Sequence, residues 1–118
     1  MPKTISLDSL RAELDSRQPP TLVEALGADY YADAHLPGAI NLPPHDVDRL
    51  APRVLPDRHA PIVVYCSGTC DSSHIVARRL EQLGYAYIRI YEGGKEDWVE
   101  HGLPVVRSAD DTREVEQP

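Results

Sequence analysis

Two cysteines lie four positions apart in the stretch Val64-Tyr65-Cys66-Ser67-Gly68-Thr69-Cys70-Asp71-Ser72-Ser73-His74, and the chain has no others. Ahead of them runs Ile62-Val63-Val64-Tyr65, apolar at every position. Behind them Val76, Leu80 and Leu83 share one helical face until Gly84 ends it. The pattern predicts strand, loop and helix, with Cys66 at the carboxyl end of the strand, where open α/β sheets present ligands. A thiol attacks as its thiolate, and backbone N–H groups or a helix amino terminus lower its pKa. Ser67, Gly68 and Thr69 are small enough for the loop to curl with successive N–H groups inward, and Ser72 or Ser73 opens the helix, so this loop is suited to hold negative charge.

Three other readings of the same residues stand beside this one. Cys66 could be a small buried apolar residue at a strand end, a common setting for free cysteine. Cys66, Cys70 and His74 have C-x3-C-x3-H spacing, but a zinc site needs a fourth ligand and no second cluster supplies it, so no metal is expected. Cys70 could be a resolving thiol, a metal ligand or a plain loop residue, and the first is preferred.

The rest of the chain must position that loop. Its 118 residues suffice for one domain with a core. Apolar residues make up 42% and charged residues 26%, as in ordinary globular chains, and the formal charge of −7 gives a nucleic-acid or anionic-membrane partner no electrostatic support. Neither a signal-peptide core nor a stretch long enough to span a membrane is present, so a cytoplasmic location is expected. Phe is absent, and the core must rest on Leu, Ile, Val and Ala.

Thr4-Ile5-Ser6 reads as an edge strand, followed by a helix capped by Ser6 with Leu7, Leu10 and Leu14 on one face and ending before Pro19-Pro20. A strand is expected over 21–25, a helical turn over 29–34 and a very short strand over 39–41. A short helix over 46–50 should be cut off by Pro52, and Pro56 to Pro61 should be a surface loop. An alternating strand over 87–91 precedes a last helix over 95–101. Strands alternating with helices predict an α/β layer fold with a mainly parallel sheet, in which the wholly apolar 62–65 run is central. Residues 107–118 are acidic and polar and should form a frayed, disordered tail.

Three stretches together resemble the rhodanese family of sulfurtransferase domains across nearly the whole chain. His35-Leu36-Pro37-Gly38-Ala39-Ile40-Asn41-Leu42-Pro43 is similar to its amino-terminal signature, and Val64-Tyr65-Cys66 with its loop and helix to its active-site unit. Tyr91-Glu92-Gly93-Gly94-x3-Trp98-x3-Gly102-Leu103-Pro104-Val105 is similar to its carboxy-terminal signature. The resemblance implies a rhodanese-like three-layer sandwich over residues 1–106, with a central five-stranded, mostly parallel sheet flanked by helices. It implies Cys66 as a persulfide-forming nucleophile, taking sulfane sulfur from a small donor such as thiosulfate or a low-molecular-weight persulfide. Cyanide, a thiol or a protein acceptor would receive it. The amides of Ser67, Gly68, Thr69, Cys70, Asp71 and Ser72 would cradle the sulfur, and no cofactor is implied.

The chain departs from the family in two places. Where the family often carries Asp, Arg and Glu, this sequence has Glu24, Leu26 and Tyr30, which reads as a structural ion pair exchanged for an apolar contact between Leu26 and Tyr30. The loop is one residue longer than usual and has Asp71 in place of any cation. That length resembles the rhodanese-fold phosphatases and arsenate reductases, but Ser72 stands where their anion-gripping Arg would be. A persulfide or polysulfide of lower charge is thus easier to accommodate than thiosulfate. A non-catalytic or redox-sensing module using Cys66 and Cys70 is the alternative. His35 should hold its turn by a hydrogen bond, Trp98 should pack in the core, and His45, His59 and His101 should be solvated.

Overall fold

The computed structural model describes residues 3–68 and 70–107. Thr69 and the tail from residue 108 onward lie outside the described residues. In chain order the elements are β1 (Lys3–Thr4), α1 (Leu7–Leu14), β2 (Thr21–Glu24), α2 (Ala28–Asp33) and β3 (Ile40–Asn41). A 3-10 turn (Pro44–Asp46) leads into α3 (Val47–Val54), β4 (Ile62–Tyr65), α4 (Ser72–Gln82), β5 (Ile88–Tyr91) and α5 (Gly94–Glu100). Among the described residues the sheet has five strands in the order β1-β5-β4-β2-β3, and every pairing between them is parallel. The apolar run is the central strand, and all four of its side chains are fully buried.

Period-two alternation divides the core between the two faces of this sheet. Val23, Ile62, Val64, Ile88 and Ile90 face α3 and α4, packing on Val47, Ala51, Leu55, Val76, Ala77 and Leu80. Leu22, Val63, Tyr65 and Tyr91 point the other way, onto Leu10 of α1 and Trp98 of α5. Three layers result. Each fully buried Val or Ile contributes about 1.5–3 kcal/mol relative to exposure, so β4 anchors both clusters at once.

Local chemistry sets the element ends. Ser6 caps α1, its hydroxyl accepting from the amide of Ser9 at 3.2 Å. Arg89 on β5 grips Glu13 of α1 through two bonds of 2.7 and 2.6 Å, and Arg79 of α4 grips Asp48 of α3 at 2.7 and 2.6 Å. The helix expected to stop short of Pro52 instead runs through it to Val54. Proline removes one backbone donor, but Pro52 and Asp48, whose carbonyl loses that donor, are both exposed, so the missing bond lies on the solvent side of the helix. The buried side of α3 is held independently, since Tyr85 donates its hydroxyl to the carbonyls of Ala51 and Leu55 at 3.1 and 2.6 Å.

Two tyrosines of the other cluster carry their hydroxyls into the protein. Tyr91 donates to Asp97 of α5 at 2.6 Å, and Tyr65 donates to the carboxylate of Glu24 at 2.8 Å. Burial first, and then the adjacent carboxylate, raises both phenols above the ordinary value of 10.0. The fold therefore keeps both protons after the unfolded chain has begun to lose them. The contribution of these two tyrosines to stability should be full below pH 10.0 and be lost as pH rises above it. In an alkaline titration followed by phenolate absorbance and far-ultraviolet circular dichroism, the signals assigned by Tyr65→Phe and Tyr91→Phe should appear only as the fold is lost. Ionisation of either in a folded chain at the ordinary tyrosine value would contradict this.

Candidate active site

Cys66 follows directly on central strand β4, and α4 begins six residues later, so sheet and helix fix both ends of the loop between them. Cys66 is 2% exposed. Its Sγ is joined to Cys70 Sγ in a disulfide whose Cα atoms are 6.6 Å apart. The same sulfur lies 3.6 Å from Ser73 Oγ and 3.4 Å from the Cys70 carbonyl oxygen. Ser73, in the first turn of α4, is buried at 2% exposure with its hydroxyl aimed at the sulfur. Sequence reasoning placed it at the helix start without assigning it a role; two adjacent serines at a helix opening were the signal.

The first turn of α5 shapes the other side of the loop. The amide of Lys95 donates to the Cys66 carbonyl and that of Glu96 to the Ser67 carbonyl, both at 2.8 Å. Across a trans peptide the N–H points opposite to the C=O, so the amides of Ser67 and Gly68 are turned away from α5. Gly94 makes this approach feasible. Its φ is +65°, and a Cβ there would stand 2.5 Å from the Cys66 carbonyl oxygen and 2.8 Å from the Gly68 nitrogen. Here Gly93-Gly94 of the carboxy-terminal motif meets the cysteine loop.

A buried polar network lies beneath. Glu24, at the end of β2, has no exposed surface, yet accepts from Tyr65 Oη at 2.8 Å and from Lys95 Nζ at 3.0 Å. Lys95 also donates to the Tyr30 carbonyl at 3.2 Å, and the amide of Leu36 donates to Tyr65 Oη at 3.0 Å. The expected apolar exchange is therefore not what is found: Tyr30 is 64% exposed, and an ion pair between Glu24 and Lys95 occupies this end of the sheet. A carboxylate buried on an inward strand position is costly unless it is paired, and the chain supplies a partner 71 positions later.

The histidines fall as their surroundings suggest. His35 is 6% exposed, donates from Nδ1 to the Tyr31 carbonyl at 2.8 Å and stacks on the Tyr31 ring at 3.8 Å. His45, His59 and His101 are exposed, and Trp98 is buried with its indole N–H donating to Pro104 at 2.7 Å. His74 is exposed and pairs with Glu92 at 3.1 Å. Among the described residues no cluster of three metal-ligating side chains occurs. Of the predicted cradle, Ser67, Gly68, Cys70, Asp71 and Ser72 line the way from β4 to α4. Asp71 is exposed just before that helix. The carboxylate of Glu96 lies against the loop, 3.0 Å from where a Cβ on Gly68 would stand. Lys95, beside the Cys66 carbonyl, pairs its side chain with Glu24.

Comparison with known proteins decides the family. A model of the rhodanese-like domain matches residues 6–101. The chain belongs to the rhodanese-like domain family. A sulfurtransferase of Allochromatium vinosum is 29% identical over 106 residues, covering 90% of this chain and 96% of that one. A thiosulfate sulfurtransferase from Pseudomonas aeruginosa superposes with a TM-score of 0.76 at 31% identity, over 89% of this chain and 20% of that much longer one. A human single-domain sulfurtransferase shares the fold, with a TM-score of 0.72 at 23% identity over 85% of this chain and 97% of its own. Among the described residues of this rhodanese-like domain, no helix is long and apolar enough to cross a membrane.

Removing one partner of a buried ion pair leaves the other charged and unpaired, which costs about 3–5 kcal/mol. Lys95→Met should lower the unfolding free energy from urea denaturation by that order, while Glu24→Gln combined with Lys95→Met should recover part of the loss. A fall of under about 1 kcal/mol in the single variant, the range of an exposed pair, would contradict the assigned role of this pair.

Proposed function

We propose that this protein is a sulfurtransferase in which Cys66 accepts a sulfane sulfur atom, carries it as a persulfide and passes it to a nucleophilic acceptor. The observation that carries the proposal is the placement of Cys66. It sits at the carboxyl end of the central strand, with the buried Ser73 hydroxyl 3.6 Å from its sulfur and the loop braced by two α5 amides. Family membership and relatives named as sulfurtransferases support the same reading. The reactive form is the reduced chain. In the disulfide Cys66 has no thiolate, so the pair with Cys70 gates the activity.

In loading, the Cys66 thiolate attacks the outer sulfur of the donor. With a persulfide the leaving group is a thiol; with thiosulfate it is sulfite. Ser73 can donate to the thiolate before attack, and the amides of Ser67 and Gly68 can face the terminal sulfur, whose charge they stabilise without any metal or cofactor. An acceptor thiol or cyanide then takes the outer sulfur and regenerates the thiolate. A protein thiol can serve as acceptor in the same way.

Charge favours a persulfide over thiosulfate as donor. Asp71 and the Glu96 carboxylate flank the loop, and Lys95 is neutralised by Glu24, so a dianion gains little here. Ser72 in place of an arginine removes the bidentate grip that phosphate or arsenate chemistry needs. A redox-sensing module is the second reading, favoured by the joined sulfurs of Cys66 and Cys70.

Cys70→Ser leaves Cys66 as the single thiol. Incubated with glutathione persulfide and measured by intact mass, this variant should gain one sulfur atom, with less uptake from an equal concentration of thiosulfate. Cys66→Ser should gain none on a cysteine at a comparable rate. No adduct from either donor, or an adduct that survives loss of Cys66, overturns the assignment, and absence of turnover with every acceptor leaves the sensing module in its place.

A further inference from the structure

We infer that Cys70 discharges the Cys66 persulfide as hydrogen sulfide, which makes the protein a persulfide reductase in addition to a sulfur carrier. The inference rests on the reading of Cys66 as the persulfide-bearing residue and concerns the fate of the sulfur once loaded. What points to it is the atom that Cys70 reaches. Its Sγ is bonded to Cys66 Sγ itself, with the two Cα atoms 6.6 Å apart and a sequence separation of four residues. That separation in space falls within the range of about 4.4–6.8 Å that a disulfide spans.

A persulfide offers an incoming thiolate two sulfur atoms. Attack on the outer one only moves the sulfane sulfur from Cys66 to Cys70. Attack on the inner one, Cys66 Sγ, while the outer sulfur carries a proton, forms the Cys66–Cys70 bond and breaks the bond to the outer sulfur, which leaves as hydrosulfide with the electron pair. The proton given up by the Cys70 thiol is balanced by the one the hydrosulfide takes from water. The Cys66 persulfide and the Cys70 thiol thus become the disulfide and hydrogen sulfide. The sulfane sulfur is reduced to sulfide and the two cysteine sulfurs are oxidised to the disulfide, so no outside oxidant enters. An external dithiol then opens the disulfide and restores both thiols.

Position favours Cys70 over any thiol from solution. Cys66 is 2% exposed, and its inner sulfur sits between Ser73 and the Cys70 carbonyl, so a free thiol approaching from outside meets the terminal sulfur first. Cys70 is already inside the loop, and attack within one chain has the advantage of high effective concentration. The acceptor thiol and Cys70 therefore compete for the same intermediate from opposite ends. One yields transferred sulfur and the other yields sulfide.

The test uses the full chain, reduced with a dithiol, freed of it, loaded with an equivalent of glutathione persulfide and freed of excess. Wild type should then release about one sulfide per chain with no added thiol, and peptide mapping should find Cys66 linked to Cys70; a dithiol should return the chain to its reduced mass. Cys70→Ser and Cys70→Ala should hold the added sulfur and release sulfide only when an outside thiol is supplied. Wild type that keeps its persulfide as long as the two variants, or that releases sulfide without the linkage, overturns the inference while leaving Cys66 as carrier. Variants that take up no sulfur at all overturn the carrier reading and this inference with it.

Discussion

A carboxylate with no exposed surface, Glu24, holds together the parts of this protein that meet around Cys66. It accepts from Tyr65, the residue before the cysteine, and from Lys95, whose own amide holds the cysteine's carbonyl. Tyr65 in turn accepts from the amide of Leu36, within the amino-terminal motif. The three sequence signatures of the family, far apart along the chain, are thus joined by four hydrogen bonds at one end of the sheet. Such a network is costly to bury and worth most when every member is satisfied, and here each buried side-chain polar atom among the described residues has a partner.

Rigidity at that end has a chemical use. On the proposed reading, Cys66 must be held firmly enough that the surrounding amides and the Ser73 hydroxyl stay aimed at its sulfur. The central strand fixes it from below and α4 fixes the far end of the loop. Helix α5 closes the third side because Gly94 allows its backbone to come against the Cys66 carbonyl. The same geometry lets Cys70 reach inward to the sulfur, so on the proposed reading one short loop carries both the nucleophile and the means to silence it.

Much of this was legible in the sequence because it depends on local patterns. An unbroken apolar run between turn residues marks a strand buried on both faces, and β4 is that strand. Ser6 ahead of the Leu7, Leu10 and Leu14 stripe marks a capped helix start, and α1 begins there. The helix runs past Pro52 because that position lies on its exposed side, where losing one backbone bond does not disturb the packed face. Lys95 was the larger omission. It reads as one residue of an exposed short helix, and nothing local reveals that its side chain crosses to a strand 71 positions earlier. Glu24 stood out only as a departure from the family's usual Asp, and the substitution at Leu26 and Tyr30 suggested an apolar repair where the fold makes an ionic one. Long-range pairing of two charges has no periodicity to betray it. The disulfide sulfurs were four residues apart, so a link between them could be foreseen from the loop alone.

The central claim is that Cys66 carries a sulfur atom that a nucleophile can remove, and cyanide tests it most directly because its product can come only from a sulfane sulfur. The Cys70→Ser chain is loaded from a persulfide, freed of donor and treated with cyanide. The account predicts about one thiocyanate per chain and a return to the unloaded mass, since cyanide takes the outer sulfur and leaves the Cys66 thiolate. No thiocyanate, or the same yield from a chain lacking both cysteines, would contradict it.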